Sequence, residues 1–117
     1  MIRAADSSPH GNLVNWGKHT MKFMISYEMH PEQRHESYKT FAQMTAADDE
    51  ADRGGVQQIG RWHDLAAARG VVICESDDLG AVHAWAMNWN NVLDVEVTPV
   101  LDDDEARATL KTRFSLE

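Results

Sequence analysis

The densest chemistry in this chain lies in the five residues GRWHD at 60–64. On an extended strand alternate side chains share a side, so Arg61 and His63 point the same way. A later segment, VVICES, carries Glu75, which faces them if its strand pairs with theirs. A histidine oriented by a carboxylate, with a guanidinium beside it to hold an anionic group, is a workable general-base centre. The same three residue types also build a salt-bridged cluster at an interface. His63, Arg61 and Glu75 are therefore the candidate catalytic residues, with a purely structural cluster as the alternative.

Aromatic residues supply a second theme. Trp62, Trp85 and Trp89 have the area to wall a pocket for an aromatic or haem-like ligand, although helical spacing and size also suit Trp85 and Trp89 to a core. Other constellations point to no chemistry. His30 and His35 are five residues apart and fall on different helix faces, whereas a shared ion needs spacings of three or four, so no metal site is expected. Cys74 lies in an apolar strand between Ile73 and Glu75, the setting of an inert thiol. Gly54-Gly55 lacks the spacing of a phosphate loop. The acidic runs at 48–52 and 102–105 serve solubility and helix capping in the simplest view, and an acidic patch also suits a basic partner.

The elements that must position these residues follow from periodicity. Phe23, Ile25, Tyr27 and Met29 recur at period 2 and define a first strand. Pro31 then opens a helix whose stripe is Tyr38, Phe41, Ala42 and Thr45. AADDEADRGG reads as an exposed loop, VQQIGRWHD as a second strand, and VVICES as a third that forms a hairpin with it. Asp77 and Asp78 cap a second helix bearing Leu79, Val82, Trp85, Ala86 and Trp89. Leu93, Val95 and Val97 alternate along a fourth strand. Asp102 and Glu105 form a capping box for a closing helix.

The order β-α-β-β-α-β with one extra helix expects an α+β, ferredoxin-like domain with a four-stranded antiparallel sheet and helices on one face. That leaves the other face, with Ser26, Glu28, Glu96 and Thr98, to be sheltered by a second copy, as in a dimeric α/β barrel. A ligand in the cleft between sheets would meet Trp62, Tyr27, Glu96 and Thr98. The domain is expected to span residues 21–117, with residues 1–20 as a disordered extension and Met21 as an alternative start.

Composition bounds the rest. The 117 residues suit one domain, and a net charge of −8 argues against nucleic acid and anionic lipid. The extension carries Arg3, Lys18 and Asp6, so the acidity belongs to the domain. No apolar run approaches the roughly 20 residues of a membrane span. A single cysteine excludes an intramolecular disulfide and fits a reducing cytoplasm.

The blocks MKFMISYEMHPEQR, GRWHD, VVICESDD, HAWAMNW and DVEVTPVLDDDEA resemble a family of short bacterial proteins known as a domain of unknown function. The resemblance covers residues 21–110 in order and implies a ferredoxin-like, dimeric α/β-barrel fold, with no reaction and no catalytic residues attached. Some haem-degrading members of the wider dimeric-barrel class use a histidine on the helix that carries His83, so a haem-related monooxygenase is a minor alternative. The expected function is a homodimer that binds or transforms a small molecule in the cleft between sheets, without a resident cofactor. A non-catalytic ligand-binding or interaction module is the alternative.

Overall fold

Strand β1, Met21–Met29, runs through the middle of the sheet because its odd-numbered residues are apolar: Phe23 and Ile25 are buried beneath the helices. The computed structural model describes residues 20–117, so the expected extension lies, apart from Thr20, outside the described residues. A single 3₁₀ turn at Pro31–Gln33 leads into α1, Arg34–Gln43. Pro31 tolerates this start because its missing N–H would have had no helical acceptor. After α2, Ala46–Arg53, come β2, Gln57–Asp64, and β3, Arg69–Ser76. Then follow α3, Leu79–Met87, β4, Leu93–Val100, and α4, Asp103–Phe114.

All strand pairs are antiparallel in the order β2-β3-β1-β4, the ferredoxin-like arrangement expected from the element order. The expected β2–β3 hairpin is present. Phe23, Ile25, Val72 and Cys74 of the sheet pack with Val56, Val82 and Trp85 to form the core. Val82 and Trp85 come from α3, whose Asp78 accepts a hydrogen bond from the Ala81 backbone as an N-cap. Among the described residues the opposite sheet face carries no helix: Met24, Ser26, Val71 and Ile73 are only half-buried there, and Trp62 is 60% exposed.

Two expectations need correction. The acidic stretch read as a loop is the helix α2. Thr45 and Asp48 exchange hydrogen bonds in a capping box, and Gly54, at φ 61, supplies the left-handed stop. These end signals outweigh the lack of an apolar stripe. The stripe expected on α1 is also different, since Ala42 is exposed and Thr45 is the cap of α2. The residue of α1 that is buried is Ser37, so a small side chain stands where a leucine would have filled space. A cavity remains beneath α1.

Candidate functional site

Beneath α1 and α3 the inner sheet face borders a cavity of about 90 Å³, lined by apolar and aromatic side chains including Phe41, Trp85 and Trp89. Its polar groups are few. One row of the sheet runs Tyr27 on β1, Gly70 on β3 and His63 on β2. Tyr27 reaches over the glycine and its hydroxyl is hydrogen-bonded to His63 Nδ1 at 2.5 Å. Glycine is required in the middle of the row. A Cβ on Gly70 would lie 2.5 Å from the Tyr27 ring and hydroxyl and 2.6 Å from the Trp62 carbonyl oxygen.

The next row carries Arg61 opposite Val72. Its guanidinium sits 4.9 Å from the centre of the Phe41 ring, and the His63 ring lies at 4.9 Å on the same phenylalanine. Both terminal nitrogens of Arg61 donate to Asp49, at 3.1 and 2.7 Å, and Asp49 also accepts from Arg53 at 3.1 Å. Three residues further along α2, Asp52 shares a helix face with Asp49. Its carboxylate accepts the indole N–H of Trp85 at 3.1 Å, that of Trp89 at 2.7 Å, and the Asn88 side-chain amide at 2.9 Å. Helix α2 thus ties β2 through one carboxylate and the α3 end of the cavity through the other. Tyr38 of α1 donates to the Leu65 carbonyl at 2.6 Å, which ties α1 to the turn between β2 and β3.

Electrostatics keep the row's two titratable groups neutral near pH 7. Burial raises the Tyr27 phenol above its ordinary value of 10.0, an effect that Arg61 opposes and Tyr38 reinforces. Burial lowers His63 below 6.5, Arg61 lowers it further, and Asp49 opposes both. In the tautomer whose Nδ1 accepts from Tyr27, neutral His63 carries its proton on Nε2. Burial pushes the Cys74 thiol up to about 11, which leaves it protonated and unreactive within the core.

Residues 21–114 match the family model described as Domain of unknown function (DUF3303). The chain belongs to this family. Two solved structures resemble the DUF3303 chain. One is a NIPSNAP family protein from Agrobacterium tumefaciens, with TM-score 0.48, 13% identity, and coverage of 74% of this chain and 95% of that one. The other is an uncharacterized NIPSNAP-like domain protein from Burkholderia xenovorans, with TM-score 0.43, 12% identity, and coverage of 73% and 88%. No curated protein matches the chain.

In this DUF3303 domain the sequence-derived candidates divide between the two sheet faces. His63, Arg61 and Tyr27 meet at the cavity, whereas Glu75, Trp62, Glu96 and Thr98 lie on the open face. Glu75 is therefore not a partner of His63; its carboxylate lies 3.7 Å from Lys22 Nζ. The cause is an irregularity of β2. The register shifts between Gln58 and Gly60, so Gln57 pairs with Glu75 while Arg61 pairs with Val72. An unbroken ladder would set Arg61 opposite Val71 and on the Glu75 side; the extra residue, Ile59, turns the rest of β2 over. The same bulge sends Trp62 outward, where its ring covers Gly60.

Arg61 also differs from its expected role. Asp49 occupies its guanidinium, so it holds the cavity wall in place and is not free to grip an anion. His83 is exposed on α3 and does not line the cavity. No group of three or more histidine, cysteine, aspartate or glutamate side chains placed to hold a metal occurs among the described residues. Asp49, Asp52, Ser37 and Phe41 were not singled out for the site from sequence. The Thr45–Asp48 spacing before Gly54 is the signal that would have found the two aspartates, because a helix over 46–53 puts both on one face.

Proposed function

We propose that the domain binds a small, largely apolar molecule in the cavity beneath α1 and that Tyr27 relays a proton between it and His63. The observation that carries this reading is the Tyr27–His63 hydrogen bond beside a cavity walled mainly by apolar and aromatic groups, with the Arg61 and Asp52 side chains at its wall already engaged by Asp49 and by the two indoles. When a ligand donates a proton to the Tyr27 oxygen, the tyrosine passes its own proton to Nδ1. His63 becomes an imidazolium and the ligand an anion. The lowered basicity of His63 makes the return transfer easy, as a reversible enolisation or a similar exchange requires. Arg61, fixed by Asp49, is a positioning residue that holds Phe41 against His63. The reading includes a homodimer through the open sheet face and a cytoplasmic setting, supported by the exposed Trp62 and the single buried thiol.

The test uses three small probes: phenol, butanone and benzene. Each is titrated into the full chain while Trp85 and Trp89 fluorescence and the His63 ring resonances are followed. The proposal expects phenol and butanone to bind, at least tenfold more weakly to Tyr27→Phe, with benzene unaffected by that change. Exchange of the butanone α-protons in deuterated water should be accelerated by the protein and lost in His63→Gln. Binding without accelerated exchange reduces the site to a ligand-binding module. No binding of any probe removes the cavity reading.

A further inference from the structure

Helix α4 has no buried residue, although it is 12 residues long and capped at both ends. Its Asp102–Glu105 capping box and left-handed Ser115 stop specify a helix that its own domain does not pack. Ala106, Leu110 and Phe114 recur every fourth residue and form one stripe. Leu110 is 51% and Phe114 60% exposed, and the flanking Leu101 and Leu116 are 57% and 62% exposed. Such a stripe has a partner in most proteins, because helices gain stability from burying an apolar face. Among the described residues the open sheet face is a second apolar surface that no other element covers, with Trp62 at its β2 edge and Met24, Val71 and Ile73 across its middle.

We propose that α4 of one copy docks its Ala106–Leu110–Phe114 stripe on the open sheet face of a second copy, so that two helices clasp a two-fold dimer. The inference rests on the sheet-face dimer included in the functional reading and assigns α4 to it. Two features favour a second copy as the occupant. The first is area. Trp62, Leu101, Leu110, Phe114 and Leu116 offer about 100 Å² each when half-exposed, roughly 500 Å² per copy from five side chains. That is more than half of the ~800 Å² per partner typical of a stable interface.

The second feature is charge. The last turn of α4 carries Lys111 and Arg113, whereas the open face carries exposed Glu28, Asp94 and Glu96. Basic helix end and acidic sheet thus complement each other across two copies. The first turn fits the same picture. Lys22 on the open face contacts Asp102 at 3.2 Å and Glu105 at 3.8 Å, which fixes where α4 leaves its own sheet.

Analytical ultracentrifugation of the full chain, Leu110→Asp, Phe114→Asp and Lys111→Glu tests the clasp. The wild type should be dimeric at micromolar concentration. Each apolar-to-aspartate change should weaken the dimer at least tenfold, and Lys111→Glu should weaken it less and remove part of its salt dependence. Since none of these side chains is buried in the protomer, circular dichroism and phenol binding in the monomeric variants should match wild type. A wild-type dimer unaffected by all three substitutions overturns the clasp and leaves the sheet-face dimer standing. A wild-type monomer overturns both. Loss of phenol binding in every protein, with the dimer changes as expected, overturns the cavity reading alone.

Discussion

Replacing Gly70 by alanine should break the Tyr27–His63 pair without touching either residue. The new Cβ would lie 2.5 Å from the Tyr27 ring and hydroxyl, whereas ordinary contacts of such atoms begin at 3.4 Å. The ring must retreat by roughly 1 Å, away from His63. It cannot retreat along the sheet alone, because the Trp62 carbonyl oxygen stands 2.6 Å from the same Cβ and belongs to the backbone. Overpacking of this kind costs about 1–3 kcal/mol. Alanine lowers the entropy of the unfolded chain and returns about 0.4–1 kcal/mol. The net expectation is a loss of about 1–2 kcal/mol, or a fall in Tm of ~5–15 °C for a domain near 100 residues.

The site should report the same displacement. A hydrogen bond donated to Nδ1 engages the neutral imidazole, since protonation would place an N–H there. Burial and Arg61 hold His63 below 6.5, with Asp49 opposing, and a hydroxyl that donates to Nδ1 acts in the same direction as burial. Displacing the hydroxyl should therefore move the histidine up toward 6.5. The assay pairs urea denaturation with an NMR titration of the His63 ring. Tyr27→Phe serves as the comparison, raising the His63 pKa with a smaller stability loss of about 1 kcal/mol. If Gly70→Ala retained both wild-type stability and the wild-type His63 titration, the row geometry and the proton relay built on it would be wrong.

Asp52→Ala should cost about 2–4 kcal/mol in urea denaturation, because it leaves the Trp85 and Trp89 indole N–H groups without their charged acceptor. Asp52→Asn should cost less, since its carbonyl oxygen still accepts. Asp49→Asn should weaken the Arg61 tie and lower the His63 pKa further, because the aspartate opposes the downward shift; a ring titration measures it. Stability should also depend on pH through His63. The unfolded chain takes up its proton first near 6.5, so stability is complete above 6.5, declines as pH falls toward the lowered folded value, and then levels off. His63→Gln should flatten that part of the profile, leaving the losses from Asp48 and Asp102, both held below 3.8, to appear only at lower pH. Asp102→Ala should reduce helical circular dichroism while barely changing the urea midpoint of the protomer, since α4 contributes no buried residue.

The fold was legible where period and end signals agreed. Phe23, Ile25, Tyr27 and Met29 mark β1, and Leu93, Val95 and Val97 mark β4, because each has one buried face and one open face to satisfy. The closing helix was legible from its capping box and the opposite charges at its two ends. Helix α2 was missed for the converse reason: its capping box and Gly54 were present, but AADDEADR has no apolar stripe. That helix makes its inward contacts with the carboxylates of Asp49 and Asp52, which pair with a guanidinium and two indoles. Hydrophobic periodicity cannot register a helix face that is polar and still faces inward.

The division of the candidate site has a single cause in one extra residue. Strand alternation correctly put Arg61 beside His63, since both follow the bulge, and failed for Glu75, which pairs ahead of it. Sequence gave little warning, because Gly60 is equally compatible with a regular strand or a bulge. The consequences reach both faces at once. By turning 60–64 over, the bulge brings His63 into line with Tyr27 across Gly70 and places Arg61 within reach of Asp49. The same turn leaves Trp62 exposed on the opposite side. Removing Ile59 would close the ladder in its present register, with Gly60 still opposite Ile73, Arg61 opposite Val72 and His63 opposite Gly70, so both side chains would stay on the cavity face and Trp62 on the open one. The polar row at the cavity and the outward Trp62 are thus two results of one register shift, and excising the bulged residue should leave both in place, with wild-type His63 titration as the check.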